Sequence, residues 1–342
     1  HNYLNSKLSL YCFSIFFVAL ISPVSTNGIN LMDFHQNTSD FSWERPNNPV
    51  LNGADPHAAL IGGTVYLYPT TEAQSQFFVY SSTDLRKWEK HGPVLDFQHI
   101  DWIPPRKCAW APAIIEKGGN FYFYYSVGPK PSHIGVAVGC SPEGPFIDSG
   151  RPLLSDKNDP NFEAIDPMVF RDPVSDRYLL YAGGSAGATL RVFELAANLI
   201  DLRKEIPVRT PPQFTEGVFM HYRNGTYYLS YSHGNWTDSS YSVHYAVSKT
   251  PIGPWDYKGA ILTSNNTFKG PGHHSILYNP SADRWYIFYH RWENVTGQGP
   301  YQGNRKIAIE YLEYESDGRI RPVVMTGKGP CMQHPGQNSS PD

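Results

Sequence analysis

The sequence predicts an all-β fold, a five-bladed β-propeller forming a single domain, and three observations lead there. Aromatic residues make up 14% of the 342 residues and charged residues only 17%, with 29 Gly and 29 Pro. That balance excludes a helical bundle, a coiled coil and a disordered chain, which need charge or helix formers. No long stretch follows the helical period of 3.6, whereas short alternating segments bounded by Gly and Pro are frequent, as strands require. Finally, one such segment recurs five times.

The five copies are Gly63–Thr70 (GTVYLYPT), Gly119–Ser126 (GNFYFYYS), Asp176–Gly183 (DRYLLYAG), Gly225–Ser232 (GTYYLSYS) and Asp283–His290 (DRWYIFYH). Aligned, they put Tyr66, Tyr122, Leu179, Tyr228 and Tyr286 in register, at intervals of 56, 57, 49 and 58 residues. Repeats of this length mark propellers and solenoids. Each copy is followed by a second strand and a turn, as in Phe77–Trp88, Ile134–Phe146 and Tyr241–Trp255, and then a short strand such as Trp255–Leu262. Four strands in each of five units give the propeller. A β-sandwich or a two-domain chain would not space its strands so evenly.

Leu8–Ile21 is a continuous apolar run of 14 residues, preceded by Lys7 and followed by Pro23 to Thr26. It is too short to span a bilayer easily and fits a secretory signal peptide. The expected organisation is a signal peptide over 1–26, an extension over 27–47, the propeller over 48–326 and a tail over 327–342. Secretion agrees with six Asn-x-Ser/Thr sequons, at Asn37, Asn224, Asn235, Asn265, Asn294 and Asn338. Cys12 leaves with the signal peptide. Cys108, Cys140 and Cys331 allow one disulfide of unspecified pairing, or three isolated buried thiols. A net charge of −3 argues against nucleic acid as a partner. The expectation is a secreted monomer, not bound to membrane.

The first strand of a propeller blade lines the central channel. About a dozen residues upstream of each aligned position lie Ala54-Asp55-Pro56, Trp110-Ala111-Pro112, Ile165-Asp166-Pro167, Thr215-Glu216-Gly217 and Gly272-His273-His274, at 11, 11, 13, 12 and 13 residues. Asp55, Asp166, Glu216 and His273 are thus expected at nearly equivalent places facing one axis. Asp before Pro is by itself an ordinary turn former; the shared phase carries the argument. Carboxylates gathered at one mouth raise one another's pKa, which is unfavourable for stability and marks catalytic or metal sites. Facing carboxylates among aromatic rings suit glycoside hydrolysis, one giving a proton to the leaving oxygen and another activating water or attacking carbon.

At these residues the chain resembles glycoside hydrolase family 43, the arabinofuranosidases, xylosidases and arabinanases. The resemblance runs from about Asn48 to Val324. It rests on the segments at Gly53–Pro56, Ala109–Pro112, Ala164–Pro167, Phe214–Gly217, Gly270–Ser275 and Tyr289–Arg291. It implies a five-bladed propeller that works with inversion and needs no cofactor. It implies Asp55 as general base, Glu216 as general acid and Asp166 as the carboxylate that tunes and orients the acid. Inversion requires base and acid roughly 6.5–9.5 Å apart. The resemblance places His273 at the channel centre, near water or a structural calcium ion, and its neighbour His274 on the opposite face of the strand. It gives Trp110 as the wall of the subsite for the non-reducing sugar, and Arg291 as a contact to substrate or to an acidic partner. His57, two residues beyond Asp55, is expected to share its face and touch the sugar.

The expected partner is an oligo- or polysaccharide of plant cell walls, and the expected activity an exo-acting α-L-arabinofuranosidase with β-D-xylosidase activity beside it. Other members of the family act on β-xylosides, arabinans or galactans. A non-catalytic sugar-binding propeller would keep the aromatics but need no phased acid and base. A protein-binding propeller would carry WD or kelch signatures, which the repeat lacks.

Overall fold

The computed structural model describes residues 47–330 and Met332. The signal-peptide segment, Cys12, Asn37, Cys331 and Asn338 lie outside the described residues. The strands are β1 (Leu51–Asn52), β2 (Ala54–Ile61), β3 (Thr64–Thr70), β4 (Gln76–Ser82), β5 (Glu89–Asp96), β6 (Cys108–Lys117), β7 (Asn120–Gly128), β8 (His133–Gly139), β9 (Ile147–Asp148), β10 (Leu154–Ser155) and β11 (Met168–Arg171). They continue with β12 (Tyr178–Ala182), β13 (Arg191–Leu195), β14 (Leu202–Ile206), β15 (Glu216–Arg223), β16 (Thr226–His233), β17 (Ser242–Ser248), β18 (Asp256–Leu262), β19 (Phe268–Asn279), β20 (Arg284–Glu293) and β21 (Lys306–Leu312). They form five antiparallel sheets, the five blades of a β-propeller.

Blade I is β2-β3-β4-β5, blade III is β11-β12-β13-β14 and blade IV is β15-β16-β17-β18. Blades II and V depart from one unit of four consecutive strands. The outer edge of blade II is split between β9 and β10, both paired to β8, and blade V takes its outer strand, β1, from the start of the propeller. That exchange closes the ring. Buried Asn48 fastens it, giving hydrogen bonds to Ile309 O (2.8 Å) and Glu310 Oε1 (3.0 Å) and receiving one from Ile309 N (3.0 Å). Segment 327–330, expected as tail, joins this closure through Asn47 N to Lys328 O and Asn48 N to Gly327 O.

The five aligned repeat positions hold residue for residue. Tyr66, Tyr122, Leu179, Tyr228 and Tyr286 on the second strands pair with Ala59, Ile115, Phe170, His221 and Leu277 on the innermost strands. Two-residue turns at Gly62-Gly63, Gly118-Gly119 and Asn224-Gly225 close three of these hairpins, with all six residues at positive φ. That is the conformation hairpin turns demand and Gly and Asn accept.

Strand alternation sends successive side chains to opposite neighbours. From β3, Tyr68 packs with Phe121, Phe123 and Tyr125 of blade II, while Val65 and Leu67 pack with Tyr286 and Phe288 of blade V. Such apolar seams between blades replace a single central core and leave the axis free. Cys108 is buried and Cys140 exposed, and they are not bonded to each other, so the expectation of buried thiols fails at Cys140. Among the described residues no helix is long and apolar enough to cross a membrane.

Candidate active site

Four of the five innermost strands carry an irregularity where they enter the channel mouth. The registers jump between Ala54 and His57, Trp110 and Ala113, Glu216 and Phe219, and Gly272 and Ser275. One residue in each blade takes positive φ there: Asp55 (51°), Ala111 (43°), Asp166 (58°), Gly217 (65°) and His273 (40°). These five are the true equivalents, and they correct the expected alignment. Glu216 stands one residue earlier, where blade II has Trp110. Measured from Gly217, the spacing to Tyr228 is 11, in line with 11 or 13 elsewhere; the odd value of 12 for Glu216 was the available signal.

A ring of hydrogen bonds fixes these bulges. The last residue of each repeat copy reaches the amide of the next blade's positive-φ residue. Thr70 Oγ1 accepts from Ala111 N (2.7 Å), Ser126 Oγ from Asp166 N (2.9 Å), Ser232 Oγ from His273 N (2.8 Å) and His290 Nδ1 from Asp55 N (3.2 Å). In blade III that residue is Gly183, which has no side chain. The orphaned amide, Gly217 N, is bound instead by Asp166 Oδ2 at 3.0 Å.

Asp55 is buried at the start of β2. Its Oδ2 accepts from Thr70 Oγ1 (2.7 Å), and its Oδ1 lies 3.3 Å from Arg305 Nη1, 3.3 Å from His273 Nδ1 and 3.4 Å from His290 Nδ1. Burial alone would raise its pKa. His273, Arg305 and His290 outweigh burial and hold the carboxyl far below the ordinary range, so Asp55 is ionised. The same crowding explains the histidines. Burial lowers the His273 pKa against the pull of Asp55, and lowers His290 to about 4, so both rings are neutral at pH 7.

Asp166 and Glu216 go the other way. Burial raises Glu216 to about 7; Tyr241 Oη, donating to Oε1 at 2.8 Å, works against the rise, and the charges of Asp55 and Glu163 add to it. Burial, then Glu216, Asp55 and Glu163, raise Asp166 well above the carboxylate range. The Asp166–Glu216 pair therefore retains a proton near neutrality while Asp55 is charged. Environments that push carboxyl pKa values apart separate base from acid.

The remaining expected residues fall in different places. His273 faces both aspartates, 3.3 Å from Asp55 and 3.6 Å from Asp166. His274 points away, with Nε2 2.5 Å from Ser230 Oγ. Trp110 is half-buried, lying over Gly128, where a Cβ would stand 1.9 Å from its ring. His57 does not share the Asp55 face, because the bulge inserts a residue between them. Its ring lies 6.0 Å from Phe219 across the channel, and burial lowers its pKa to about 4. Arg291 is fully buried inside blade V, paired to Glu293 (2.7 Å) and set over the Phe268 ring (3.5 Å). Of its two expected contacts it makes the acidic one, because strand alternation turns it away while His290 turns in.

The arginine at the site is Arg305, just before β21, stacked on Trp236 at 4.5 Å. Sequence reasoning missed it, as it missed Thr70, Tyr241 and His290. The aligned repeat copies held a signal for Thr70 and His290, which close them; nothing in the repeat marks Arg305 or Tyr241. Among the described residues no group of three or more His, Cys, Asp and Glu is arranged to hold a metal ion. The surroundings of His273 do not fit calcium, which takes six to eight oxygens. Its Nδ1 meets two carboxylates already engaged by Thr70 and Gly217.

A propeller mouth that gathers Asp55, Asp166 and Glu216 around His273 and Arg305 has the carboxyl groups that glycoside hydrolysis requires. The chain belongs to the glycosyl hydrolases family 43, which its sequence matches over residues 46–320. It is 34% identical to a β-D-galactofuranosidase of Aspergillus niger, covering 96% of this chain and 97% of that one. It is 28% identical to a xylosidase/arabinosidase of Humicola insolens, over 78% and 95% of the two chains. Among solved structures, an α-L-arabinofuranosidase of Clostridium thermocellum shares 30% identity with a TM-score of 0.68, over 82% of this chain and 96% of that one. The protein is thus an enzyme that hydrolyses O-glycosyl bonds, in a family characterised by inversion.

Proposed function

We propose that the enzyme is an exo-acting furanosidase that removes terminal α-L-arabinofuranosyl groups from hemicellulose or pectin side chains, with β-D-xylosidase activity beside it. The observation that carries the reading is the gathering of three carboxyls at the mouth: Asp55 held by Thr70 and Arg305, Glu216 by Tyr241, and Asp166 set 3.6 Å from the His273 that also meets Asp55. In this reading Asp55 takes a proton from water as the water attacks the anomeric carbon. Arg305 and Thr70 hold the carboxylate in place. Glu216 gives its proton to the departing oxygen, and Asp166 keeps that proton on the pair until it is needed. Neutral His273 stands between the two aspartates and keeps them in position.

An exo mode is supported by the wall on the blade IV and V side. The loop after β16 and the loop after β20 are joined by Ser239 N to Gln298 O (2.9 Å) and Tyr301 N to Thr237 O (2.6 Å), with Trp236 stacked on Trp292. A second reading, β-D-galactofuranosides, is favoured by the end-to-end match to the Aspergillus niger enzyme. The two sugars share ring configuration and differ in the substituent on C4, so one site can test both. Nitrophenyl α-L-arabinofuranoside, β-D-galactofuranoside and β-D-xyloside, with arabinan and product analysis, decide between them. The proposal expects the arabinofuranoside to have the highest kcat/KM and polymers to release monosaccharide. A preference for the galactofuranoside selects the second reading, and release of oligosaccharides overturns the exo mode.

We also propose passage through the secretory pathway. Asn224, Asn235, Asn265 and Asn294 are all exposed, which supports glycosylation there. Mass spectrometry before and after glycosidase treatment of the natively expressed protein tests it.

A further inference from the structure

The buried hydroxyl of Tyr241 lies between the two halves of the site. Its ring is stacked on His290 at 5.5 Å with planes 5° apart, and His290 holds the amide of Asp55. Gly272, paired with His290 in the register of β19 and β20, lies beneath the ring, where a Cβ would fall 2.1 Å from it. Only glycine leaves that space open, so the ring rests on blade V while its hydroxyl reaches back to blade IV.

The hydroxyl donates to Glu216 Oε1 at 2.8 Å. Behind it stands Ser232, whose Oγ accepts from His273 N at 2.8 Å and which acts against the rise that burial imposes on the Tyr241 pKa. With Tyr241 donating to Oε1, the proton of Glu216 is left for Oε2.

We propose that Tyr241 is a positioning residue that sets which oxygen of the general acid carries the catalytic proton. It directs the proton to Oε2 and turns that oxygen toward the leaving group. It also stabilises the ionised form of Glu216, and so keeps the acid from being too weak to give up its proton. Asp55 and Tyr241 thus act in opposite senses on one carboxyl. The proposal rests on Glu216 being the acid.

The test is the pH dependence of kcat/KM on a substrate with a poor leaving group, for wild type, Tyr241→Phe, Glu216→Gln and enzyme with 3-fluorotyrosine placed at 241. Losing the donor should move the alkaline limb of Tyr241→Phe to higher pH by about one unit, the scale of a hydrogen bond to a charged group. Turnover below the limb should fall on the order of tenfold, with KM little changed. Fluorotyrosine is a stronger donor of nearly the same shape, so it should move the limb to lower pH, and it reports even if Tyr241→Phe folds poorly. An alkaline limb unmoved in both variants, or moved in the same direction by both, overturns the proposal. The acid assignment fails separately: if Glu216→Gln keeps the alkaline limb, Glu216 is not the acid. If that limb vanishes in Glu216→Gln yet stands still at the two Tyr241 variants, Glu216 is the acid and Tyr241 does not position it.

Discussion

Asp166 accepts the amide hydrogen of Gly217 at 3.0 Å, the residue next to Glu216, and so stands where Thr70, Ser126, Ser232 and His290 stand for the other blades. One carboxylate is thereby tied both to the backbone of the acid and to its titration. Replacing Asp166 by Asn keeps an oxygen for Gly217 N but removes the carboxyl whose titration is tied to that of Glu216. The acid's pKa should fall, and the alkaline limb of the pH–rate profile should move to lower pH. Kinetics of Asp166→Asn from pH 4 to 9 check this, and an unmoved limb would leave Asp166 a backbone anchor alone.

Glu216→Ala should lose on the order of 10²–10⁴ in turnover on substrates with basic leaving groups, and far less on dinitrophenyl glycosides, whose leaving oxygen needs no proton. A leaving-group series measures it. Equal losses across the series would count against proton donation.

Arg305→Gln acts on Asp55, the proposed base. Arg305 helps hold Asp55 ionised, so without it the Asp55 pKa should rise. The acid limb should then move to higher pH, because activity is lost as pH falls through that pKa. The same kinetic profile reports it, and a shift of the alkaline limb instead would assign Arg305 to Glu216.

Stability carries the opposite sign for Glu216. Its folded pKa, about 7, lies above the ordinary 4.5, so its contribution is full below about 4.5 and is lost as pH rises through 7. Glu216→Gln should therefore raise Tm at pH 8, by a free energy on the order of 3 kcal/mol, and change little at pH 4. Thermal melts at both pH values test this; equal Tm differences would mean the carboxyl is not strained by burial.

The propeller was legible because its signal is repeated. Five copies of one strand, four of them ending in a residue of the hydrogen-bond ring, set the blades and the phase of the mouth. What escaped has local causes. The bulges break the rule of two, so His57 leaves the face of Asp55 and Glu216 stands one place before its supposed equivalents. At Tyr289-His290-Arg291 the alternation of β20 decides which residue turns inward, and the ion pairs to Glu293 and Glu310 that claim Arg291 are not visible in order of sequence. Arg305 and Tyr241 come from the stretches between repeat strands, where periodicity carries no information. Nothing in the sequence marks Gly272, yet its work is to admit a ring.

The central claim is that Asp55 activates water from the face opposite Glu216. The measurement that tests it most directly is rescue of Asp55→Gly by azide on an activated aryl glycoside, with the product's anomeric configuration read by proton NMR. Azide should restore cleavage of the glycosidic bond, giving a glycosyl azide of inverted configuration, since the small anion attacks in place of the activated water, and Asp166→Gly should not respond. A glycosyl azide of retained configuration, or rescue of Asp166→Gly while Asp55→Gly stays inactive, would contradict the account.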